Sequence, residues 1–190
     1  MSVNIIELLS RHQGISNLPK VDPNTQDIIE THKDDSNLLL QAVIPAILAG
    51  FYKYSRNDHD AELIAQENEE SDWVGMLYGK ERQALIGKIA DYASVPAQVA
   101  ETKMEAIALD ALRLLRINAS PNNGVGIKNL LTNERHNILN HLPGAIGIGN
   151  ILNDSTLDDR TNKMEGPVSS FMHAIEKQFA STNIAETKKS

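Results

Sequence analysis

The amino-acid sequence predicts an all-α protein, an irregular array of about six to eight helices, from three observations. Apolar residues recur at helical spacing along several segments. No segment alternates apolar and polar residues with the β-branched enrichment of a half-buried strand. The chain has 190 residues, of which 41% are apolar and 23% charged, which is typical of a domain with a core of its own.

The first predicted helices are a short one over Val3–Arg11, which Gly14 can end, and a central one over Leu38–Phe51. The second is apolar nearly all round, so we expect it to be buried. Pro45 is expected to kink or split it, because proline removes a backbone donor and clashes one turn back. Gly50 then either permits the close approach of a neighbouring element or weakens the end of the helix.

Shorter helices are predicted to follow. A helical stretch lies within Asn57–Glu70, and Asp72 can cap a helical turn that Gly79 ends. Lys80–Ala93 carries apolar residues at the 3.6-residue period and predicts a further helix.

The clearest helix begins after Pro96 and runs to Arg116. The asparagine- and glycine-rich segment 117–126 predicts a loop, and Thr132 is expected to cap the next helix, which Pro143 ends. The predicted central core includes Leu39, Val43, Ile47, Ile86, Ile89, Met104, Ile107, Ala111, Leu114 and Leu115.

These elements predict a helical core domain over residues 3–142 and a glycine-rich and polar linker over 143–166. An amphipathic C-terminal helix over 167–180 and a flexible tail over 181–190 are expected to follow. The apolar side chains of that helix fall on one face at i, i+3, i+4, i+7 and i+11. They are the candidate partner-binding residues: Val168, Phe171, Met172, Ile175 and Phe179. The alternative interpretation is that this face packs on the protein's own core.

Composition excludes several function classes. The chain has no cysteine, which excludes disulfides, thiolate nucleophiles and cysteine metal sites. The longest apolar run, Leu38–Phe51, is shorter than the roughly 18 residues that a membrane span needs. Met1–Ser10 lacks the early basic residues of a secretory signal, so we expect a cytoplasmic protein.

The segment Ile89–Val99 has the pattern of a helix-turn-helix corner, which would place the start of its second helix in a DNA major groove. Only Gln98 at that start is suited to contact a base edge, and Glu101 and Glu105 would repel phosphates. The net charge of −7 also opposes duplex binding, so a packing corner between core helices is the favoured interpretation.

Other candidate motifs favour structural interpretations. Glycines at 144–149 have the order GxxGxG rather than that of a dinucleotide fingerprint. His136 and His141 would point apart on a helix, and the acidic run of Glu67, Glu69, Glu70 and Asp72 is typical of solvated surface or a helix start. We therefore predict no catalytic, cofactor-binding or metal-binding residues and no cofactor.

Two segments resemble the YidB-like family of bacterial proteins of unknown function. One is the apolar helix with a central proline, 41–51, and the other is the pair of helices within 85–115. The resemblance implies an all-α array of helices and no established activity, and it supplies no functional residues to carry over.

These observations predict a non-enzymatic interaction or assembly protein of the bacterial cytoplasm that acts through helix faces. Its expected partner is another protein or a second copy of itself. The alternative is a helix-turn-helix-type regulator that binds nucleic acid or a small ligand, and a hydrolase site assembled from distant loops is a third hypothesis.

Overall fold

Seven α-helices of six or more residues and a final four-residue helix make up most of the described chain. A computed structural model describes residues 3–21, 35–66 and 70–157, the side chains of 35–37 excepted. The helices are α1 (Ile5–His12), α2 (Asp35–Tyr54), α3 (Asp58–Gln66), α4 (Trp73–Tyr78), α5 (Arg82–Ala93), α6 (Ala97–Asn118), α7 (Gly124–His141) and α8 (Ile148–Ile151). Short 3-10 turns lie at Gly79–Glu81, Gly144–Ile146 and Ser155–Leu157. Over these ranges the chain contains no strand, and the predicted all-α class is confirmed.

Helix α2 lies at the centre of the fold and contacts α1, α4, α5, α6 and α7. It runs unbroken through Pro45, so the proline does not split it. The side chains on both sides of the proline, from Ala42 to Ala49, are buried against several helices. Burial on all sides offsets the one helical hydrogen bond that proline cannot make.

Gly50 brings α4 close to α2, as the sequence predicts. The hydroxyl of Tyr78 donates a hydrogen bond of 2.5 Å to the carbonyl of Ala46. A Cβ at Gly50 would lie 2.7 Å from the Tyr78 hydroxyl oxygen, so the tyrosine occupies the space that a side chain would need. Burial raises the pKa of Tyr78 well above its usual range, so the hydroxyl remains a donor.

Helices α5 and α6 match the predicted segments closely, and Asp72 and Gly79 flank α4 as expected. Helix α7 begins earlier than predicted. Its N-cap is Asn123, whose side-chain oxygen accepts a hydrogen bond of 3.1 Å from the Gly126 N–H. Thr132 lies inside this helix, so its predicted capping role is wrong.

The predicted core residues are buried with one exception, Leu114, which is only partly buried against the core. The core also extends past the predicted domain boundary at residue 142. Four apolar side chains of the predicted linker belong to it: Ile146, Ile148, Ile151 and Leu157. The linker prediction is therefore wrong for 143–157, because the glycines and polar residues there alternate with buried isoleucines.

All described residues belong to one unit, Met1–Arg160. The rest of the predicted linker, the C-terminal helix over 167–180 and the tail over 181–190 lie outside the described residues.

Candidate functional site

A groove of about 200 Å³ lies beside α7 and is called here the Glu134 groove. Helix α7 supplies most of its lining, and the residue Val3 before α1, the end of α6 and the loop after α6 supply the rest. Its lining residues are Val3, Asn118, Ser120, Gly126, Asn129, Leu130, Asn133 and Glu134. A Cβ at Gly126 would lie 1.8 Å from the Pro121 carbonyl oxygen, so this glycine lets the loop approach the first turn of α7.

Glu134 is buried, with 5% of the residue exposed, and its carboxylate joins α7 to the start of α1. Its Oε2 accepts hydrogen bonds from the Ile5 N–H at 3.2 Å and from the Asn137 side-chain amide at 2.9 Å. The same amide donates to the side chain of Asn4, which caps α1 by accepting from the Glu7 N–H. A negative charge at a helix N-terminus is stabilised by the helix dipole.

A second groove, of about 340 Å³, is called here the Arg82 groove. Its lining residues are Glu70, Ser71, Asp72, Trp73, Val74, Arg82, Glu105, Ala108 and Leu109. The Arg82 guanidinium contacts the carboxylates of Asp72 at 2.7 Å, Glu101 at 3.0 Å and Glu105 at 2.6 Å. Three carboxylates around one cation leave this surface acidic.

Part of the predicted acidic run reaches the Arg82 groove. Glu67 and Glu69 lie outside the described residues, whereas Glu70 and Asp72 line the groove. Asp72 also accepts a hydrogen bond of 2.9 Å from the Gly75 N–H and so caps α4. The helix-start interpretation of this run is therefore confirmed for Asp72.

The predicted helix-turn-helix corner is formed by α5, a turn at Ser94 in the left-handed conformation, and α6. The start of α6 is exposed, including Gln98. Glu101 and Glu105 bind the Arg82 guanidinium, so this cation is already paired with carboxylates. That charge distribution opposes phosphate contact.

The ion pairs of the buried Asp154, in the predicted linker, were not predicted from the sequence. Asp154 contacts the Lys53 ammonium at 3.1 Å and the Arg56 guanidinium at 2.5 Å, at the end of α2 and just after it. Burial alone would raise the pKa of Asp154, but hydrogen bonds from Thr156 and Lys53 and the charge of Lys53 lower that pKa to about 2. No sequence signal links residues about a hundred positions apart.

The described histidines lie in different surroundings. His136 and His59 are exposed, whereas His12 contacts the Asp110 carboxylate at 3.2 Å. His141 is buried, and that burial lowers the pKa of its imidazole, whose Nδ1 lies 2.7 Å from the Asn137 carbonyl oxygen. Within the described ranges, no group of three or more histidine and acidic side chains is arranged to hold a metal ion.

No protein-family model, curated protein or solved structure matches this chain. The resemblance to the YidB-like family therefore stays a prediction.

Two further sequence predictions concern membranes and partners. Among the helices of the described ranges, none has both the length and the apolar character needed to cross a bilayer. The predicted partner-binding residues Val168, Phe171, Met172, Ile175 and Phe179 lie outside the described residues.

Proposed function

We propose that this protein is a non-enzymatic interaction or assembly protein that acts through helix faces, chiefly Val168–Phe179. The observation that carries the proposal is the division of the chain at Arg160. The described core is built from residues between Ile5 and Leu157. After it, the sequence contains a second set of apolar residues at helical spacing, Val168–Phe179. A bacterial cytoplasmic setting is part of the same proposal.

The charged contacts of the described chain support a structural rather than a catalytic use of its buried polar groups. Asp154 joins the end of α2 to the turn after α8, and Glu134 joins α7 to α1. Arg82 joins the start of α5 to α6 through Glu101 and Glu105. Each of these groups has at least one partner on a different element.

The test places charges on the predicted apolar face of the full-length protein. The double variant Phe171→Asp, Phe179→Asp carries two carboxylates at i and i+8 on that face. The matched control, Ser170→Asp, Gln178→Asp, adds the same charge with the same spacing at polar positions.

The measurements are mass in solution by light scattering and stoichiometric recovery of a partner from native lysate. In the Phe171/Phe179 variant we expect the amount of oligomer, or of recovered partner, to fall at least tenfold. The reason is that a carboxylate in an apolar interface is strongly unfavourable. The control should retain both. An identical mass and identical recovery for both variants would contradict the proposal.

The alternative, a helix-turn-helix-type regulator, has the helix pair that it requires in α5 and α6. The exposed start of α6 also favours it. The carboxylates around Arg82 and the net charge of −7 weaken it, because duplex binding depends on cations that face the phosphates.

A further inference from the structure

The sequence contains one Asn-Gly pair, Asn123–Gly124, and it lies where α7 begins. Asparagine is a thermally labile residue. A following glycine makes it most reactive, because no side chain shields the glycine nitrogen that attacks the asparagine side chain. The pair is therefore a candidate site for non-enzymatic deamidation.

The reaction needs water and no other reagent. A bond forms between the Gly124 nitrogen and Asn123 Cγ, the bond from Cγ to Nδ2 breaks, and ammonia leaves with the proton that the Gly124 nitrogen gives up. Water then opens the resulting five-membered imide at either of its two carbonyl carbons. The products are an aspartate at position 123 and its isomer, in which the main chain runs through the former side chain.

In the folded protein, another helix holds the attacking nitrogen. The Gly124 N–H donates a hydrogen bond of 2.8 Å to Glu62 Oε2 of α3. A hydrogen bond to a charged acceptor is stronger than one between neutral groups. Gly124 is also buried, and a Cβ there would lie 2.7 Å from the Glu62 backbone nitrogen, so α3 packs directly on this point.

Asn123 is fixed by the helix that it caps. Its Oδ1 accepts a hydrogen bond of 3.1 Å from the Gly126 N–H, and its backbone carbonyl accepts one of 3.0 Å from the Ile127 N–H. The Gly124 nitrogen reaches Cγ only if the peptide plane between Asn123 and Gly124 rotates. That rotation breaks the hydrogen bonds to Glu62 and from Ile127, so the imide forms only when the start of α7 opens.

We propose that Asn123–Gly124 is a deamidation site whose reaction is controlled by the contact between Glu62 of α3 and the start of α7. The amide persists while this contact is made, and it reacts when the start of α7 opens locally. The two products have different consequences. An aspartate caps a helix as well as asparagine does, whereas the isomer adds a carbon atom to the main chain within the cap and disrupts it.

The experiment incubates the full-length protein at mildly alkaline pH, which favours loss of the proton from the attacking nitrogen. Mass spectrometry of the proteolytic peptide that contains Asn123 measures the rate of conversion to the acid. The same protein in concentrated urea gives the rate for the open chain. The folded protein should react at least about tenfold more slowly, because a hydrogen bond to a charged group must first be broken.

Two variants test the role of Glu62. Glu62→Ala removes the acceptor of the Gly124 N–H and should raise the rate in the folded protein about tenfold. Glu62→Gln keeps an oxygen but loses the charge, so its rate should lie between those of the unmodified protein and Glu62→Ala. The matched control is Gly50→Ala, which disturbs the contact between α2 and α4 and leaves Glu62 in place.

A rise in rate that follows the loss of the Glu62 acceptor, and that Gly50→Ala does not reproduce, supports the proposal. Equal rates for the folded protein and the protein in urea would overturn it. So would an unchanged rate in a Glu62→Ala protein that circular dichroism shows to be folded, or an equal rise in Gly50→Ala, which would mean that unfolding of the whole domain controls the reaction.

If Glu62→Ala does not fold, the comparison of Glu62→Gln with Gly50→Ala decides the question by the same criterion. None of these measurements depends on Val168–Phe179, so this proposal and the proposed function fail independently.

Discussion

The absence of a Cβ atom at two glycines lets neighbouring parts of the chain approach closely. Gly50 and Gly126 both lie where a Cβ would collide with a neighbour, a tyrosine ring in one case and a backbone carbonyl in the other. Gly87 also lies in a helix, but a Cβ there would meet nothing within 4 Å. The same residue type therefore has opposite consequences at different positions.

Gly50→Ala is expected to lower the free energy of unfolding by about 1–3 kcal/mol, the usual cost of overpacking. The added methyl group meets Tyr78, which is buried and held by its hydrogen bond to Ala46. Gly87→Ala is the matched control and should raise the free energy of unfolding by about 0.5–1 kcal/mol through helix propensity. Urea unfolding measures both, and a stabilising Gly50→Ala would show that Tyr78 does not hold α4 against α2.

At the scale of elements, the buried carboxylate of Asp154 joins the turn after α8 to the end of α2 through two partly exposed cations. Asp154 is held by Lys53 and Arg56, and its own side chain accepts hydrogen bonds from the Thr156 N–H and hydroxyl. The carboxylate therefore orders its own turn and joins that turn to the central helix.

Asp154→Asn is expected to lower the free energy of unfolding by about 1–2 kcal/mol at neutral pH, because solvent screens the partly exposed Lys53 and Arg56. The pKa of Asp154 falls from 3.8 to about 2 in the folded protein, so its stabilisation is fully present above pH 3.8. It is lost as the pH falls through about 2, where the folded state also binds the proton.

The measurement is urea unfolding of both proteins at neutral pH and across this acidic range, where the difference between them should shrink. Asp58→Asn is the control, because it removes an exposed ion pair with Lys128 that should contribute little. A pH-independent difference for Asp154→Asn would mean that packing, and not charge, fastens the turn.

At the scale of the whole molecule, periodic helices were predictable and their long-range connections were not. Lys80–Ala93 and the helix ending near Arg116 follow from apolar spacing, which needs only local sequence. The start of α7 was missed because Gly124 and Gly126 are typical of a loop in sequence, whereas in the fold Gly124 lies against Glu62 of α3 and Gly126 against Pro121.

The candidate sites depend on contacts that sequence spacing cannot reveal. The Ile5–Glu134 hydrogen bond spans 129 positions, and the Asp154–Arg56 contact spans 98. Asp72 was recognisable as a cap because capping is local, whereas the remaining partners of Arg82 come from a different helix.

The extent of the core predicts where the chain tolerates truncation. A chain ending at Arg160 should keep the unfolding temperature of the full-length protein, because it contains every described core residue. A chain ending at Leu142 lacks four buried apolar side chains, each worth about 1.5–3 kcal/mol. That loss is comparable to the 5–15 kcal/mol that typically stabilises a domain, so we expect this shorter chain to be unfolded. Circular dichroism with thermal unfolding measures both, and a cooperative transition in the shorter chain would contradict the prediction.

The hydrogen bond between Ile5 and Glu134 has a consequence for the order of folding. It closes a loop of 129 positions, and the entropy lost in closing such a loop opposes the formation of this hydrogen bond. The Ile5 N–H at the start of α1 can donate this hydrogen bond only after α7 has formed and positioned the Glu134 carboxylate. Helix α1 therefore cannot complete the hydrogen bond at its first residue until Glu134, 129 positions later in the chain, has been synthesised.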